Sequence, residues 1–129
     1  MALNEQAIEF AVNWWVDLVT GKGRFDDAQF SEEYQPVLDV LRRHARASRP
    51  IDDELVQRFR IALSERLRAV EGNHEILDCD YHPTGLLYDA CEDCGFPDSS
   101  IPIKTFLRID GNEVSFQNGY GAGWSKKTF

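Results

Sequence analysis

Apolar residues recur at helical spacing near the start of the chain: Ile8, Ala11, Val12, Trp15, Leu18 and Val19. The spacing predicts an amphipathic helix over residues 3–20, stopped by Gly21 and followed by the loop Gly21-Lys22-Gly23. Trp14 lies off this stripe and is expected either to cover a second element or to stand exposed. Residues 24–35 are acidic and lack a period, so they read as loop. After Pro36, which suits a first helical turn, Val37, Leu38, Leu41 and Ala45 predict a short second helix. Arg42, Arg43 and Arg46 crowd its C-terminal end, where positive charge complements the helix dipole. The clearest helical pattern is Leu55, Phe59, Ala62, Leu63, Leu67 and Val70, with Asp52 as the expected N-cap and Asp53 and Glu54 in the first turn.

The period then changes to two. Leu77, Cys79 and Tyr81 alternate with Asp78, Asp80 and His82, which predicts a short half-buried strand. Leu86, Leu87, Ala90, Cys91 and Cys94 share one helical face, and Gly95 closes that helix. Thr105, Leu107 and Ile109 form a second alternating run and Val114 and Phe116 a third, joined by the turn signal Asp110-Gly111-Asn112-Glu113. The Gly119–Gly123 run reads as backbone geometry after the last strand, since glycine admits positive φ and close approach. The expected fold class is α+β. A helical N-terminal half of about three helices packs on a small β-α-β-β unit ending in a β-hairpin, all in one domain over residues 1–129.

Charge changes the picture. The 129 residues carry a formal net charge of −8, which disfavours binding to a phosphate backbone by the surface as a whole. The charge is also segregated. From His74 to Asp98 there are seven acids (Glu75, Asp78, Asp80, Asp89, Glu92, Asp93, Asp98) and no Lys or Arg. From Leu41 to Arg68 there are eight arginines (42, 43, 46, 49, 58, 60, 66 and 68) against four acids. Two readings stand: the segments neutralise each other across the fold, or the acidic one meets a basic partner. No apolar run approaches the roughly 20 residues of a membrane span. The N-terminus lacks a basic region ahead of an apolar stretch, and the three cysteines are odd in number. The expectation is a cytoplasmic protein with reduced thiols and no membrane partner.

Candidate chemistry is sparse. Cys79-x-x-His82 and Cys91-x-x-Cys94 have spacing close to that of structural zinc sites. The opposing reading makes the cysteines core residues, because Cys79 continues a strand alternation and Cys91 and Cys94 continue an apolar helix face. A Cys79 nucleophile with His82 or His74 as base is disfavoured, since the flanking Asp78 and Asp80 would raise the thiol pKa. The adjacent acid pairs Asp26-Asp27, Glu32-Glu33 and Asp52-Asp53 read as caps or solvated loops. Gly119-Tyr120-Gly121-Ala122-Gly123 lacks the Lys of a phosphate loop. Tyr120 and Trp124 are either core aromatics or interface anchors. No catalytic set and no cofactor are expected.

Four motifs carry a resemblance. They are Phe10-Ala11-Val12-Asn13-Trp14-Trp15, Asp80-Tyr81-x-Pro83, Ile103-Lys104-Thr105 and Gly119-Tyr120-Gly121-Ala122. With these the chain resembles a family of small phage- and prophage-encoded proteins associated with anti-CRISPR loci. Ile103 departs from the Trp that such proteins carry before the Lys-Thr pair. The resemblance implies a non-enzymatic inhibitor in the bacterial host cytoplasm that acts by binding a CRISPR-Cas defence complex. An acidic protein would compete with nucleic acid for a basic protein surface there. Glu75, Asp89, Glu92 and Asp93, with Tyr120 and Trp124, are the expected contacts, and no direct nucleic-acid partner is expected. The alternatives are a nucleic-acid-binding or regulatory module using the arginine-rich helices (Arg42, Arg43, Arg46, Arg49, Arg58), and a zinc module on Cys79, His82, Cys91 and Cys94.

Overall fold

The computed structural model describes residues 2–20, 52–119 and 123–129. Among these, three helices pack on one face of a four-stranded antiparallel sheet, an α+β arrangement. The short helix expected after Pro36 lies outside the described residues.

Helix α1 spans Glu5–Val19. Its start is set by Asn4, whose side-chain oxygen accepts the Ala7 N–H at 3.1 Å and so satisfies one of the orphan donors of the first turn. Ala7, Ile8, Ala11, Val12, Trp15 and Val19 are buried along its inner stripe. Trp14 covers a second element. Its ring meets Trp15 edge-on at 5.2 Å and lies 5.6 Å from Phe116. Phe10 reaches Phe116 and Phe129 at 5.3 and 5.8 Å, so α1 is anchored to the sheet by an aromatic cluster. Helix α2, Asp53–Arg68, is capped by Asp52, which accepts the Leu55 N–H at 2.7 Å. It buries Val56, Phe59, Ala62, Leu63 and Leu67.

Strand β1 runs His74–Cys79. Helix α3 follows over Gly85–Cys94 and ends at Gly95, which sits in the left-handed region at φ +70 as a helix-terminating glycine should. A single 3₁₀ turn at Asp98–Ser100 leads to β2, Thr105–Asp110, and the tight turn at Gly111 leads to β3, Glu113–Asn118. The β-α-β-β order read from the sequence is present. It does not end there, because Ser125–Thr128 forms a fourth strand, β4, paired antiparallel to β3. All four β4 residues are exposed, so no apolar alternation announced it. Backbone pairing holds it, and its end is pinned: Phe129 N–H donates to the Asn112 carbonyl at 2.8 Å and Asn112 Nδ2 donates to the Phe129 carbonyl at 2.9 Å.

The strand order is β1-β2-β3-β4, a meander. Leu77, Cys79, Thr105, Leu107, Ile109 and Val114 are buried on the face that the helices cover. The alternate residues Ile76, Asp78, Phe106, Arg108, Ser115, Gln117 and Lys126 lie in register on the opposite, open face. Tyr81, expected to continue the β1 alternation, lies past the strand end and is 66 % exposed. The strand stops because the backbone turns back there: Cys79 bridges to Pro83, and the Thr84 N–H donates to the Asp78 carbonyl. Among the described residues no helix is long and apolar enough to cross a membrane.

Candidate functional site: the outer face of the third helix

α3 is seated by Leu87, Ala90 and Cys91, all buried. Burying a leucine side chain contributes about 2 kcal/mol. Because a helix turns 100° per residue, seating that stripe forces Tyr88, Asp89, Glu92 and Asp93 outward, and all four are exposed. Three of the expected contact residues therefore share one helical surface. The Tyr88 hydroxyl donates to Glu92 one turn on, and that bond raises the phenol above its ordinary pKa.

Asp93 has the tightest partner of these acids. Arg66 on α2 gives Nε and Nη2 to the two Asp93 oxygens at 2.6 and 2.7 Å, and stands 4.0 Å from Asp89. This bidentate pair holds the Asp93 carboxyl below its ordinary range, because Arg66 hydrogen-bonds the charged form. Glu75 sits at the start of β1, half-buried, and its carboxylate accepts the Ile76 N–H at 3.0 Å. Glu75 and Asp89 both line a groove between α2, β1 and α3.

The structure separates Trp124 from this group. Its indole is 47 % exposed, stacks on Phe106 at 6.2 Å and lies under the Arg108 guanidinium at 4.9 Å. Phe106 and Arg108 belong to the open sheet face, so Trp124 lies on the side of the sheet away from α3. Tyr120 falls outside the described residues. The open face was not anticipated as a surface. Of the large apolar side chains that are exposed, Ile76 stands on it with Trp124, and Tyr81 stands at its end. Its cations are engaged at home: Lys104 pairs with Asp80 and lies over the Tyr81 ring, Arg108 is 3.8 Å from Asp78, and Lys126 is 3.4 Å from Glu113.

Three motifs of the resemblance meet at Lys104. Its N–H donates to the Asp80 carbonyl at 2.7 Å, and its carbonyl accepts the Gly119 N–H at 2.9 Å. Lys104 has φ +53, a left-handed conformation that costs a residue with a Cβ. Those two backbone bonds and the ion pair to Asp80 hold it there. Spacing gave no hint of this knot, because its members are distant in the chain.

The cysteine and histidine set does not assemble. Among the described residues no group of three or more His, Cys, Asp or Glu side chains could hold a metal ion. Cys79 and Cys91 are buried in the core, Cys94 Sγ donates to the Ala90 carbonyl at 3.2 Å, and His82 is exposed beyond the end of β1. Neither helix thiol is activated: burial pushes Cys91 up to about 12 and raises Cys94 as well. His74 is at the far end of β1 from Cys79, about 17 Å away along the strand.

The arginines of α2 are engaged too. Arg58 pairs with Glu54, Arg60 with Asn13, Arg66 with Asp93 and Arg68 with Glu5, at 2.5–2.7 Å. Arg42, Arg43, Arg46 and Arg49 lie outside the described residues. Comparison of the chain with models of known protein families, with curated proteins and with solved structures finds no match in any of the three.

Proposed function

We propose that this protein is a non-enzymatic inhibitor that binds a basic protein surface through the outer face of α3. The observation that carries the reading is that Asp89 and Glu92 face solvent from a helix whose opposite side is fixed in the core, with Arg66 4.0 Å from Asp89 and bonded more closely to Asp93. A rigid acidic surface attracts a basic partner over distance and disfavours nucleic acid. The resemblance to anti-CRISPR-like phage proteins supports a defence complex as that partner. Such complexes guide nucleic acid through basic channels, and an acidic helix seated in one would block access. The in-chain pairing of the α2 arginines favours this reading over a nucleic-acid module.

The test is capture of partners by the tagged protein from a CRISPR-proficient bacterial lysate, with and without nuclease treatment, beside the variant D89K/E92K/D93K. A stoichiometric defence subunit held by the native chain and lost by the variant is the expected result. Equal capture by both proteins removes α3 from the interface. Recovery of nucleic acid alone overturns the inhibitor reading.

A further inference from the structure

The groove at the foot of α3 has a volume of about 360 Å³ and is lined by Arg66, Ala69, Val70, Glu75, Leu86 and Asp89, with Gly85 at its edge. Ala69, Val70 and Leu86 supply an apolar floor. Val70 and Leu86 are only partly buried against the core, so their outer surface is available to a guest. Three charged side chains stand around that floor. Two are carboxylates, Glu75 and Asp89, and the third is Arg66.

The sign of the guest follows from what is already engaged. α2 ends at this groove and α3 begins at it, so a partial negative and a partial positive helix end, each roughly half a charge, offset one another. The side chains decide. Arg66 is turned to Asp93 through two hydrogen bonds of 2.6 and 2.7 Å, and its guanidinium lies edge-on to that carboxylate. Arg66 also stands 4.0 Å from Asp89, so this one cation serves three nearby carboxylates, Glu75, Asp89 and Asp93, and negative charge stays in excess. An anion entering here would meet two carboxylates. A neutral apolar group would cover the floor and partly desolvate both carboxylates without adding a cation, which is costly.

We infer that this groove receives one lysine or arginine side chain of the basic partner, its alkyl stem on Val70 and Leu86 and its cation between Glu75 and Asp89. The inference rests on the reading of α3 as the binding face and supplies it with an anchor. Lysine and arginine suit such a place because they bury an aliphatic stem while keeping a charged head at the rim. The groove also explains a role for Glu75, which lies outside α3 in sequence and beside it in space.

The test is a titration of the full chain, labelled at its Val, Leu and Ala methyl groups, with acetylated hexa-arginine and hexalysine peptides at low salt, read by NMR. Saturable shifts centred on the Val70, Leu86 and Ala69 methyls are expected. E75Q/D89N should weaken the peptide about tenfold, as loss of a charge-assisted contact does, while D17N, at an exposed position of α1 outside the groove, changes it little. Native spectra of both variants establish that they fold. Peptide bound at Tyr88 and Glu92 with the Val70 and Leu86 methyls unmoved overturns the pocket and leaves the acidic-face reading standing. Absence of peptide binding overturns both.

Discussion

The outer face of α3 and the open face of the sheet carry similar kinds of residue and use them in opposite ways. On the sheet face each cation has an acid within 4 Å, and the exposed Tyr81 and Trp124 rings lie beneath Lys104 and Arg108. On α3 one cation serves two acids: Arg66 is bidentate to Asp93 and 4.0 Å from Asp89, while Glu92 accepts the Tyr88 hydroxyl. The difference teaches that a charge count does not locate a binding surface. Cations each matched by an acid of the same chain make a self-contained surface, while acids in excess of the cation beside them keep a field that another molecule can answer.

The largest way to break the comparison is to unseat the helix. Leu87→Ala removes a fully buried anchor. It should cost about 2–5 kcal/mol of stability in a denaturant titration, by lost transfer energy and the cavity left behind. A loss below 1 kcal/mol would mean that the α3 surface is not held rigid by its inner face. Next in size is the charge reversal D89K/E92K/D93K. Binding to a basic target should fall at least about tenfold, with the fold intact by circular dichroism.

Trp124→Ala probes the other face. Losing the stack on Phe106 should cost about 1 kcal/mol, and affinity for a basic target should stay as in the native chain. A matching loss of binding would place the interface on the sheet and remove it from α3.

The smallest effect separates the two faces by pH. The Asp93 carboxyl is held low by Arg66, so its pairing stabilises the protein above the ordinary carboxylate pKa and is lost as pH falls through the depressed value. Asp78 on the sheet face runs the other way. Burial raises its pKa despite the nearby Arg108, so its contribution is most favourable in acid and declines as pH rises through the raised value. Carboxyl carbon titrations by NMR should show Asp93 ionising before Asp78 as pH increases. The reverse order would contradict the assignment of paired and buried roles.

Much of the fold is legible in the chain because burial and period agree there. The α1 and α2 stripes, the α3 face, the β2 and β3 alternation and the Asp52 and Gly95 boundaries follow from local chemistry. Where periodicity was absent or misleading, the local pattern fell short. Ser125–Thr128 has no buried side chain to mark it as a strand, and Tyr81 continues an alternation that the turn at Pro83 has already ended. The candidate site divides in the same way. Three acids on one helix face could be read from their spacing, but Glu75 joins the groove only through the packing of β1 beside α3, and Trp124 leaves the group only because its ring folds over the far side of the sheet.

The sequence by itself determined which segments have an apolar side, and hence the helices, the central strands and the excess of acid in the C-terminal half. Only the tertiary structure decided which of those acids are neutralised. That depends on which arginine lands within about 4 Å of which carboxylate, as Arg66 does with Asp93 across 27 residues. Coulomb energy is set by distance in space, and spacing along the chain does not report it.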